Sequence, residues 1–155
     1  MDSEPAAAPP PLDEAQAREL NAVAAILESL AVRLAPPFDG RRRARLRAAN
    51  ARLRAARGPV AAAIADRDFH SGLVEPCPDE QLLATLRPVQ EALQAPAART
   101  ADAPGRHAAD HDRVIEALAD GDNARAAERL RAHLAARLPA LLAAVTPASG
   151  GAASA

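Results

Sequence analysis

Three histidines and one aspartate are the residues of this sequence whose types and spacing can do chemistry. Asp66 and His70 stand four apart in the segment DRDFH, so on a helix they share a face. A carboxylate and an imidazole so placed can bind one metal ion jointly, although an ordinary hydrogen-bonded pair has the same spacing. His111 lies on the stripe of Val114, Ile115 and Leu118, and His133 stands between Leu130 and Leu134, so both should face an interior. A buried imidazole needs a partner. Three inward histidines and one inward aspartate could satisfy one another through a divalent metal. The alternative is three separate core histidines, each bonded to a nearby backbone or side-chain group. Other polar residues are expected outside such a site. His107, on the loop side of its helix, should face solvent, as should Asp68, Asp110 and Asp112. Phe69 should anchor its helix in the core.

Helices must bring these residues together. A chain of 155 residues fits one domain. It is rich in alanine, leucine, arginine and glutamate, and β-branched and aromatic residues are scarce, which favours helix over strand. The expected fold is an all-α antiparallel bundle of about six helices over residues 12–145, with leucine packed against alanine. The first helix, 13–35, carries Leu20, Val23, Ile26/Leu27, Leu30 and Leu34 on one stripe. The second covers 39–57, with Leu46 and Leu53 inward. The third runs from 59 to about 74, and a fourth begins near Asp79, a suitable N-cap. Pro88 should kink or split it. Residues 96–106 read as a loop. A fifth helix covers 107–119, and Asp122 caps a sixth, with a kink at Pro139. Residues 1–11 and 146–155 read as disordered tails.

Composition excludes several classes of function. The net charge of −1 gives no bulk attraction to nucleic acid or membrane. The basic run Arg41 to Arg57 spreads its arginines around a helix with no interleaved aromatic residue. It reads as a solvated outer helix, and no specific nucleic-acid binding is expected. No apolar run is long enough to span a membrane, and the N-terminus is not a signal peptide, so a cytoplasmic protein is expected. The single cysteine, Cys77, cannot form an internal disulfide and reads as a plain loop residue.

Two longer segments carry a resemblance. DRDFHSGLVEPCPDEQLL is similar to the D-x-x-x-H segment of the FCD ligand-binding domain found in FadR-subfamily GntR transcription regulators. HDRVIEALADGDNARAAERLRAHL resembles that domain's closing pattern, H-x-x-[IV]-x-x-A-[IL]-x-x-G-D-x-x-x-A-x-x-x-[ML]-x-x-H-L. With ILESLAVRLA in the first helix, the resemblance covers about residues 13–140. It implies a divalent metal held by one aspartate and three histidines beside an effector pocket. On this sequence those ligands are Asp66, His70, His111 and His133. The donor set suits zinc, nickel, iron, cobalt or manganese.

The resemblance also sets expectations about output and ligand. Such regulators carry a winged helix-turn-helix ahead of the bundle, whereas only a short segment precedes it here, so a stand-alone ligand domain is expected. Many relatives have an arginine four residues before the first-helix glutamate. Counting back from Glu28 gives Ala24, which argues against a compact dicarboxylate ligand. The expected function is metal-dependent binding of a small-molecule effector, a carboxylate or other chelator, by a chain that could form a homodimer. The alternative is an enzyme of lyase, isomerase, cyclase or oxygenase type on the same scaffold, its open metal acting as Lewis acid. No catalytic residue can be assigned for it.

Overall fold

The computed structural model describes residues 11–99 and 104–146. Among these residues all regular structure is helical, in seven segments: α1 (Glu14–Leu34), α2 (Gly40–Ala55), α3 (Pro59–Val74), α4 (Glu80–Ala97), α5 (Pro104–Ala119), α6 (Asn123–Ala136) and α7 (Leu138–Val145). The all-α bundle is therefore as expected. The expected tails lie almost wholly outside the described residues, as do residues 100–103 of the expected loop. What is described of that loop is shorter than expected, because α4 continues through Pro96 and α5 starts at Pro104.

Local sequence sets the ends of the helices. Asp13 and Gln16 form a capping box on α1, and Asp39, Asp79 and Asp122 each accept a hydrogen bond from a backbone N–H three residues on. Gly58 takes φ +93° between α2 and α3, a conformation costly for any residue with a Cβ, and Pro59 then opens α3. Proline acts in two ways. α4 runs through Pro88 without splitting, whereas Pro139 ends one helix and starts another, so the expected sixth helix is two.

α1 lies against α6, α4, α7 and α3, while α2 packs on α3 and α5, and α5 on α6. The main core joins Phe69, Leu73, Leu46, Leu86, Val114, Leu118, Leu130 and Leu134. Cys77 belongs to it, buried although it stands between helices. The stripe of large residues on α1 points outward: Val23, Ile26, Leu30 and Leu34 are 39–53% exposed. Its buried face is small or polar, made of Ala17, Asn21, Ala24, Ala25, Glu28, Ser29, Ala31 and Val32. Alanines on α6, Ala126 and Ala127, meet this face, which lets the two backbones approach closely. Polar groups then bond backbone directly: Asn21 donates to the Leu134 carbonyl at 2.9 Å, and Ser29 to that of Ala127 at 3.2 Å.

Burial predicts an unequal response to truncation. Leu130→Ala should cost about 2–5 kcal/mol, since its side chain is fully enclosed. Ile64→Ala, at a half-exposed position, should stay within about 0.5 kcal/mol. Urea unfolding with unchanged slope measures both.

Candidate metal centre

Three helices deliver the four side chains. α3 brings Asp66 and His70 one turn apart, α5 brings His111 and α6 brings His133. Each offers one ligand atom, and the four atoms lie within 4.8 Å of one another. His111 Nε2 is 3.3 Å from His133 Nε2 and 3.4 Å from Asp66 Oδ1, and His70 Nε2 is 3.8 Å from Asp66 Oδ2. Ligands about 2.0–2.1 Å from a zinc ion would be separated by roughly the same distances.

The far side of each imidazole is occupied. His70 Nδ1 lies 2.6 Å from Glu28 Oε2, His111 Nδ1 3.1 Å from Asn50 Oδ1, and His133 Nδ1 3.4 Å from Asp110 Oδ2. All three partners are acceptors, so each Nδ1 carries the proton and a neutral ring turns its Nε2 lone pair inward. These partners are themselves held. Gln90 donates to Glu28, Asn50 donates to the Ala108 carbonyl and to Asp112, and Arg113 donates to Asp110. Phe69 stacks on His111 with ring centroids 3.7 Å apart, which fixes the plane of that imidazole. Among the buried side-chain atoms without a hydrogen-bond partner are Asp66 Oδ1 and His70 Nε2. Two of the four converging groups thus present a buried ligand atom with no hydrogen-bond partner. The donor set fits a divalent cation.

Electrostatics agree with this arrangement. Burial pushes the Asp66 carboxyl up, but His70, His107, His111 and Arg137 outweigh it and hold the pKa far below the usual range. Glu28 is likewise lowered: burial opposes its charge, and His70, Arg137 and Gln90 prevail. Burial also disfavours charge on the imidazoles. At His70 the Glu28 and Asp66 carboxylates overcome it and raise the pKa. At His111 burial and His70 push the pKa well below the ordinary value, and at His133 the same causes lower it to about 4.

The four expected ligands therefore meet, and Phe69 is core as expected. Asp68 stands outside the site, partly exposed and paired with Arg52 and Arg67. Two expectations need correction. His107 is not a solvent-facing residue: it is mostly buried, 3.9 Å from Asp66. Asp110 is not simply solvent-facing either, since it orients His133. Glu28, Asn50 and Arg137 were missed. Asn50 had a readable signal, because it shares a helix face with Leu46 and Leu53. Arg137 had none, since its position depends on the break before α7. Its Nε donates to Asn21 Oδ1 at 2.9 Å, and its guanidinium lies 4.0 Å from Asp66.

Two narrow recesses of about 50 and 40 Å³ open on Asp66. Both are lined by Asp66, Ala63, Leu93, Ala97 and Arg137. A roomier groove of about 600 Å³, between α2, α3 and α4, touches none of the four ligands.

The sequence model of the FCD domain matches residues 19–136. The chain belongs to the FCD domain family. Among solved structures, the bundle resembles a GntR-family transcriptional regulator from Pseudomonas syringae pv. tomato str. DC3000, with TM-score 0.73 and 18% identity. The match covers 86% of this chain and 58% of that one. No curated protein matches the chain. The FCD bundle described here contains no helix long and apolar enough to cross a membrane, among the described residues.

His133→Ala should abolish stoichiometric metal binding and lower the melting temperature, because metal binding is linked to folding. After chelation the difference should largely vanish, as elemental analysis and thermal scans would register. Equal losses with and without metal would reduce His133 to a packing residue. Metal uptake should also release a proton at any pH where His70, whose pKa the Glu28 and Asp66 carboxylates raise, is still protonated on both nitrogens, since an ion must displace it. Affinity should accordingly fall as the pH falls. Calorimetry in buffers of different ionisation enthalpy counts the proton.

Proposed function

We propose that this FCD domain binds one divalent metal ion through Asp66, His70, His111 and His133, and uses it to bind a small-molecule effector. The observation that carries the reading is the convergence of three imidazole nitrogens and a carboxylate oxygen within 4.8 Å, with buried atoms of Asp66 and His70 lacking a hydrogen-bond partner. Zinc, nickel, iron(II), cobalt and manganese all accept this donor set. When bound, the ion would supply a Lewis-acidic attachment for an oxygen or nitrogen donor of the ligand. The chain's own residues would select the remainder. Arg137 offers a cationic donor on the recess wall, His107 lines the same recess, and Leu53, Leu93 and Leu141 supply apolar surface.

This wall suggests a small anion with a short apolar body. Ala24 is fully buried, packed with Ala17, Leu93 and Leu141, so the first helix has no space there for an arginine. Arg137, hydrogen-bonded one turn away to Asn21, is the guanidinium that reaches the recess. The likeness to a GntR-family regulator supports an effector role, in which ligand occupancy is read by a DNA-binding unit.

Calorimetric titration of short carboxylic acids into metal-loaded protein tests the proposal. Binding should vanish on chelation. Arg137→Gln should weaken it about tenfold or more, while metal content stays unchanged. Binding that survives chelation would overturn the metal-dependent reading. Metal-dependent turnover of a tight binder, lost in His70→Ala, would make the protein an enzyme.

A further inference from the structure

α5 carries a second histidine toward the centre. His107 precedes His111 by four residues, so the two rings leave the same face of the helix one turn apart. The pair repeats on α5 the spacing of Asp66 and His70 on α3. The His107 side chain is about as buried as that of Asp66. Its Nδ1 lies 3.9 Å from Asp66 Oδ1, the same oxygen that His111 Nε2 approaches to 3.4 Å. Its ring centroid is 5.1 Å from that of His133, between the 4.7 Å of His111 and the 5.4 Å of His70. Two atoms each bound to one ion at about 2.0–2.1 Å can stand up to about 4 Å apart. His107 is thus placed toward Asp66 and His133 much as the four clustered residues are placed toward one another. We infer, on the basis of the four-ligand site proposed above, that His107 is a fifth protein ligand of the metal, bound through Nδ1.

A fifth donor changes which ion the site favours and how an effector can reach it. Five protein ligands exceed the tetrahedral set that zinc takes in closed sites. Four imidazoles and one carboxylate suit an ion that accepts six ligands, such as nickel, cobalt or iron(II). One position of an octahedral ion then remains. An effector would attach through a single donor atom, and a chelating one would have to displace His107. His107 lines the recess that also holds Arg137, so such a ligand would meet both residues.

X-ray absorption at the nickel edge, on the full chain loaded with nickel alone, counts the imidazoles bound to the ion. The wild type should show four rings and His107→Ala three. Competition against a chelator should show nickel affinity falling roughly tenfold or more in His107→Ala and in His107→Gln. Zinc affinity should fall less, because four ligands already satisfy that ion. Free imidazole should restore the fourth ring and most of the nickel affinity to His107→Ala, which a residue that only packs or pairs with Asp66 would not allow. Should neither variant fold, the ring count of the wild type decides alone. Three rings in the wild type would overturn the fifth ligand and leave the four-ligand site standing. So would nickel affinity unchanged in both variants. A wild type that takes up neither nickel, cobalt nor zinc would overturn the four-ligand site and the fifth ligand with it.

Discussion

The structure depends on one electrostatic constraint, the inward direction of four sets of lone pairs. Two imidazole Nε2 atoms face each other at 3.3 Å, and a carboxylate oxygen faces one of them at 3.4 Å. Acceptors at such separations repel unless a cation or a proton lies between them. The chain enforces the geometry from behind, with Glu28, Asn50 and Asp110 each holding one Nδ1. Each of these groups sits on a different helix, so α1, α2, α3, α5 and α6 all have to be in register for the rings to converge. The polar centre thus specifies the packing of the bundle, and leucine against alanine fills the space around it.

The sequence was most legible where periodicity and chemistry coincide. His111 and His133 fell on leucine stripes, and Asp66 and His70 on one face, so the four residues that cluster and the helices that carry them were readable. The groups behind the rings were harder to read. Asn50 follows the inward stripe of α2 but carries no metal-ligand signature, and Asp110 looks like any acidic residue beside solvent. Arg137 could not be placed without knowing that Pro139 divides the last helix rather than bending it. The same proline chemistry left α4 whole at Pro88. The difference lies in tertiary packing, which periodicity does not record.

α1 shows where hydrophobic patterning misleads. Its conspicuous stripe of Val23, Ile26, Leu30 and Leu34 is outside, because the inside must admit Glu28 to His70 and Asn21 to Arg137 and Leu134. Burial normally sorts large apolar residues inward. Here the site takes the inward face, and the apolar residues occupy the other.

That inversion has a consequence for the order in which the bundle opens. A helix seated mainly on alanine gains little from leaving water, and α1 is tied instead by a few directional bonds at Asn21, Ser29 and Glu28, with Asn123 bonding the carbonyls of Val32 and Ala35 at its end. Such bonds break one at a time and are readily replaced by water. Amide exchange of α1 in the native state should then follow the breaking of these bonds. Because Glu28 on that helix grips the ring of His70, whatever fixes His70 from the other side also slows the departure of α1. The first helix acts as a latch whose catch is the ring of His70.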